Sequence, residues 1–175
     1  MHLVLRALPD TDGAAAVTGE IVVVGLGNSY RSDDGVGIVA AAALKDLALP
    51  GVRVVTGIAE PMGLLDAWSG AKLAVVIDAG VATPSMPGGI RRCTLGDVVD
   101  APEGLSSHRI DIARTRALGQ VLGRLPEALV VFTIEAADTG HGIGLTPRVA
   151  AAVPEVVNMA LAEINGTPYP SHRIC

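Results

Sequence analysis

The sequence predicts a three-layer α/β/α domain built on a mostly parallel central sheet of about five strands. Two observations carry this expectation. Short aliphatic runs alternate along the chain with longer segments of helical character, the pattern of strand and crossover helix. Half of the 175 residues are hydrophobic while only 2% are aromatic, so the core is made of Ala, Val, Leu and Ile, which suits strands buried on both faces.

Taken in order, residues 1–19 read as a flexible leader and 20–165 as one domain, with 166–175 as a flexible tail. "EIVVVGLG" from Glu20 is a buried strand, and "DDGVGIVAAAALKDLAL" is a helix opened by Asp33 as its N-cap and stopped by Pro50 and Gly51. "VRVVTGI" is a second strand, "PMGLLDAWSG" a short helix with Pro61 in its first turn, and "KLAVVIDAG" a third strand. "GGIRRCTLGD" follows a Pro/Gly loop as a weaker edge strand. "SSHRIDIARTRALGQVLGRL" reads as a long helix opening at Ser106 or Ser107, "ALVVFTIEA" as the last strand, and "TPRVAAAVPEVVNMALAEI" as a helix interrupted or entered at Pro154.

Several function classes drop out. The net charge is −5, with no cluster of Lys and Arg interleaved with aromatics, which disfavours nucleic-acid binding. No apolar run approaches the roughly 18 residues of a membrane span, and the leader lacks the apolar core of a signal peptide, so a cytoplasmic protein is expected. Cys93 and Cys175 are too few and too badly spaced for a zinc knuckle, and neither reads as catalytic. No Gly-x-Ser-x-Gly elbow or Cys-His pairing offers a covalent nucleophile.

The stretch "VVVGLGNSYRSDDGVG" from Val22 carries the most information. As a dinucleotide fingerprint it fails, because Tyr30 stands where a third glycine belongs and the second strand has no acidic residue at its end before Glu60. In parallel α/β sheets, ligands bind beyond the carboxyl ends of the strands. That edge collects Asp33 and Asp34 after the first strand, Asp78 ending the third, Glu135 ending the last, and His108 at a helix start. A helix N-terminus disfavours imidazolium and keeps His108 in the neutral form that binds metal. Two carboxylates and a neutral imidazole suit a divalent transition ion such as zinc or nickel. The plainer readings stay open: Asp78 satisfying loop amides, Glu135 taking a backbone amide or an Arg, and His141 solvated in "TGHGIG".

Four segments in order, "GLGNSYRSDDGVG", "VVIDAG", "SSHRIDIA" and "IEAADTGHGIGLTPRVAAAVPEVV", resemble the hydrogenase maturation endopeptidase family, over Glu20 to Ile164. The resemblance implies a three-layer α/β/α fold and an endopeptidase that trims a C-terminal peptide from the nickel-loaded precursor of a nickel-iron hydrogenase large subunit. It implies Asp34, Asp78 and His108 as the catalytic, metal-reading triad, with nickel supplied by the substrate and no permanently bound cofactor. Gly25, Gly27 and Asn28 would shape the loop and admit the substrate backbone. Glu60, in "GIAEPMGLLDAW" where many relatives carry a Gly-Thr pair, and Glu135 would contact substrate. The alternatives are a nickel-checking module that grips the same precursor without cutting it and a nucleotide-binding α/β enzyme.

Overall fold

The computed structural model describes residues 19–97 and 111–167. Five strands, β1 (Ile21–Gly25), β2 (Val52–Thr56), β3 (Leu73–Gly80), β4 (Ile90–Thr94) and β5 (Ala128–Glu135), form one sheet in the order β2-β1-β3-β5-β4. All neighbours are parallel except β4, which runs antiparallel to β5 at the edge. The expected fold class is therefore the observed one. After β1 the chain crosses to β2 on one side, and after β3 it continues to β4 and β5 on the other. This reversal of strand order opens a crevice at the carboxyl ends of β1 and β3.

Two helices cover each face. On one, α1 (Val36–Asp46) and α4 (Pro147–Ile164) pack over Val23, Val75, Ile77, Phe132 and Ile134. On the other, α2 (Pro61–Trp68) and α3 (Ile112–Val121) pack over Val22, Val24, Val76 and Val131, with Trp68 fully enclosed. Burying one such aliphatic side chain contributes about 1.5–3 kcal/mol, and period-2 alternation sends successive strand residues to opposite cores. Cys93, buried on β4, is not a free thiol.

Three element boundaries differ from expectation. The first helix does not open on Asp33: a 3-10 turn, Ser32–Gly35, precedes α1, and no side chain caps either element. The third helix opens at Asp111, whose carboxylate accepts the Arg114 N–H at 3.0 Å; the expected start at Ser106 or Ser107 lies outside the described residues. Finally, α4 neither breaks nor begins at Pro154. It starts with Pro147 at its first turn and runs through Pro154, which is exposed. A proline inside a helix costs about 3 kcal/mol, and a stripe of Val149, Ala152, Val156, Met159 and Ala160, buried on both sides of it, outweighs that loss.

The approach of α1 to the sheet depends on two glycines. A Cβ at Gly37 would lie 2.2 Å from the Ile77 carbonyl oxygen and 2.4 Å from that of Leu26, and one at Gly25 would lie 2.4 Å from the Gly37 carbonyl oxygen. All of these obstacles are backbone, which cannot step aside. Gly37→Ala is expected to lower stability by about 1–3 kcal/mol despite the better helix propensity of alanine. A urea unfolding midpoint at or above the parent's would contradict this packing account.

Candidate functional site

The crevice is built by the loop after β1 and the loop after β5, and one carboxylate joins them. Asp33 is fully buried in the 3-10 turn. Its Oδ2 accepts the N–H groups of Ala137 and Asp138 at 2.9 and 3.0 Å and the Thr146 hydroxyl at 2.9 Å, while Oδ1 accepts the Thr146 N–H at 2.7 Å. Main-chain bonds run alongside: Asp33 N–H donates to Asp138 O, Ser32 N–H to Gly142 O, and Gly142 N–H to Tyr30 O. Arg31 Nε donates to Thr139 O at 3.1 Å. These contacts hold Ser32 at φ +48°, a conformation that non-glycine residues adopt only when their surroundings over-determine it. Asp33 is thus a clamp between loops and not a helix cap.

Burial alone would raise the Asp33 carboxyl. The hydrogen bonds from Thr146, Asp138 and Ala137 outweigh it and hold the group below the ordinary aspartate value.

Next to the clamp stands Asp34, also buried, in a turn that packs against β3. Asp78 sits on β3 just beyond Ile77, the residue in register with Gly25 at the end of β1, and is fully buried. Its Oδ1 accepts the Ala79 N–H at 2.8 Å. Asp78 thus stands one residue past the carboxyl end of the neighbouring β1, and the turn that carries Asp34 packs on the same strand, β3, where chain order reverses. His108 lies outside the described residues, and among those described no three His, Cys, Asp or Glu side chains converge as a metal site.

The remaining candidates divide. Gly27, at φ +131°, faces the Asp34 carbonyl oxygen so closely that a Cβ would come within 1.9 Å of it. Gly25 is buried against α1, so helix packing, not substrate approach, is what requires a glycine there. Asn28 shapes the loop, its Oδ1 accepting the Tyr30 N–H at 2.9 Å. Glu135 is buried and accepts the Met86 N–H through Oε1, with Arg91 Nη2 3.7 Å from Oε2. Glu60 is exposed at the start of α2, and His141 is exposed in the loop after β5. Exposed apolar side chains ring this edge: Tyr30, Met62, Val81, Met86 and Ile143.

With this geometry in view, the sequence model of the hydrogenase maturation protease family matches residues 38–163. The chain belongs to that family. The HupD hydrogenase expression/formation protein of Thiocapsa roseopersicina is 27% identical over 147 residues, covering 81% of this chain and 66% of that protein. The chain therefore spans just under two thirds of that relative's length. Among solved structures, the hydrogenase maturating endopeptidase HybD from Escherichia coli superposes with a TM-score of 0.73 at 23% identity, covering 83% of this chain and 91% of that one. HybD from Thermococcus kodakarensis, a nickel-iron hydrogenase maturation protease, gives 0.67 at 24%, covering 83% and 99%. At these identities the structural likeness speaks for the fold of this family member alone.

Sequence reasoning missed Thr146. It stands at the N-cap of α4, a position that invites a local cap, yet its hydroxyl and its N–H both go to Asp33. Replacing Asp33 by Asn turns one acceptor into a donor facing an N–H, with an expected loss of about 1–3 kcal/mol. Because the folded carboxyl ionises below the ordinary range, its stabilisation is complete above that range and disappears as pH falls through the folded value. In urea unfolding, the gap between the parent and Asp33→Asn is expected to be full at neutral pH and to close under acid. A gap that is absent at neutral pH would contradict the clamp.

Proposed function

We propose that this chain is an endopeptidase that removes a C-terminal peptide from the nickel-loaded precursor of a nickel-iron hydrogenase large subunit. One observation carries the reading. In a member of the hydrogenase maturation protease family, two buried carboxylates, Asp34 and Asp78, stand where strand order reverses, at the position in such sheets where ligands bind.

With His108 they offer two oxygen donors and one nitrogen donor, a set that suits a divalent transition ion. The nickel belongs to the substrate. By completing its coordination the three residues tether the precursor's tail in the crevice and hold the scissile bond in one orientation, the source of rate that positioning supplies. Water then adds across that amide and the C-terminal peptide leaves. The apolar rim of Tyr30, Met62, Val81, Met86 and Ile143 suits a polypeptide partner better than a small molecule. Glu60 and Glu135 flank the path of the tail, and the reaction takes place in the cytoplasm.

The test is the intact mass of a nickel-loaded cognate precursor incubated with the parent, with Asp34→Ala and with His108→Ala. The parent is expected to shorten the precursor, and each variant to do so at least about 100-fold more slowly. Trimming at the parental rate by a folded His108→Ala protein would overturn the site assignment. A precursor that stays bound and intact with the parent would mark a non-cleaving nickel-checking module instead.

A further inference from the structure

The sheet ends on β4, which among the described residues pairs only with β5. Hydrogen bonding fixes which of its amides look outward. The Glu135 N–H donates to the Gly89 carbonyl oxygen, so the alternation of an antiparallel pair turns the main-chain groups of Gly89, Arg91 and Cys93 toward β5. The Thr94 N–H instead donates to the Asp97 carboxylate at 2.8 Å, and by the same alternation Ile90 and Arg92 point their N–H groups away from β5. An open row of this kind is a template for other strands, and proteins cover or blunt it.

Two features bring a cover to this edge. Side chains alternate along β4: Arg92 faces α4, where its Nε and Nη2 donate to the Glu163 carboxylate at 2.6 and 3.1 Å, while Cys93 faces the opposite core with Ile112 and Val131. The pairing of Arg92 with Glu163 sets the end of α4 beside β4, and the chain leaves that helix through Gly166 at φ +66°. Cys93 is disulfide-bonded, and the sequence holds just one other cysteine, Cys175. Bridged cysteines have Cα atoms about 4.4–6.8 Å apart, so within one chain this bond returns residue 175 to β4. From Thr167 to Cys175 the chain extends at most about 26–29 Å, enough to pass from the α4 face round the edge strand to the opposite face. Pro168 and Pro170 in that stretch oppose continuation of the helix.

We propose that residues 168–174 dock as a strap along the open edge of β4, fastened by a reversible disulfide between Cys93 and Cys175. The strap is independent of the endopeptidase reading of the crevice. Reduction releases it. Because Cys93 is nearly enclosed, one thiolate of a dithiol reductant attacks the Cys175 sulfur. The S–S bond breaks, Cys93 leaves as a thiolate and takes up a proton, and the reductant's second thiol frees Cys175 as the reductant closes into its own disulfide. Two equivalents of exchange with a low-molecular-weight disulfide remake the bridge: the two cysteine thiols are oxidised and the small disulfide is reduced to two thiols. Where a compartment keeps thiols reduced, disulfides are characteristically of this transient, redox-sensing kind.

The experiment uses the full chain purified without reductant. Proteolysis without reduction, followed by mass spectrometry, is expected to yield one linked pair of peptides carrying Cys93 and Cys175, and the intact mass to lie about 2 Da below that of the dithiothreitol-treated chain. Amide-resolved hydrogen exchange is then compared before and after dithiothreitol. Exchange at Ile90 and Arg92 is expected to speed up about tenfold or more on reduction, while the other edge strand, β2, changes by less than about twofold. Cys175→Ser, which spares the buried Cys93, should match the reduced parent with no reductant present. Two free thiols in the unreduced chain, or a bridge that joins two copies, overturns the proposal. Equal acceleration at β2 and β4 marks a general loss of stability and overturns it too, as does exchange at Ile90 and Arg92 that reduction leaves unchanged.

Discussion

The crevice depends on a buried carboxylate, that of Asp33, which ties two loops together. Asp33 gathers three backbone N–H groups and one hydroxyl from the loop after β5 into the turn after β1. Loop backbone buried without partners is costly, and a loop left to itself wanders. By pairing these donors with one anion, the fold converts two irregular segments into a single rigid wall. Asp34 is the next residue along the chain, so whatever fixes Asp33 also fixes the backbone that presents Asp34.

The second constraint is the closeness of helix and sheet. Gly25 and Gly37 let α1 lie directly on β1 and β3, which sets the 3-10 turn against the end of β3 and so relates Asp34 to Asp78. An aromatic-poor core serves the same purpose, since small side chains keep the layers close. Within the sheet, strand order and parallel register decide the rest. The reversal between β1 and β3 opens the crevice.

Most of the fold was legible in the sequence because its signals are local. Aliphatic runs announced the four parallel strands, and a weaker run behind a Pro/Gly loop announced the edge strand β4. Asp34 and Asp78 could be picked out for a related reason, one lying in the segment that links the first strand to its helix and the other near the carboxyl end of the third strand. The errors arose where a long-range partner overrides a local rule. Asp33 at an apparent helix start looks like a cap, but its partners are residues 137, 138 and 146. Pro154 looks like a helix boundary, but the buried stripe on both sides of it carries the helix through. Glu135 could be read either as a ligand or as a partner of a backbone amide and an Arg, and only the fold brings Met86 and Arg91 to it. That Asp78, Thr133 and Arg91 are in register across β3, β5 and β4 could not be seen without strand order, because register belongs to pairs of strands and not to either one.

If this crevice reads a metal carried by its substrate, trimming must depend on nickel. The same cognate precursor is prepared with and without nickel, and each form is incubated with the unmodified chain while intact mass is followed. Only the nickel-loaded form is expected to lose its C-terminal peptide. Equal trimming of the nickel-free form would contradict it, because the buried carboxylates would then have nothing in the substrate to recognise.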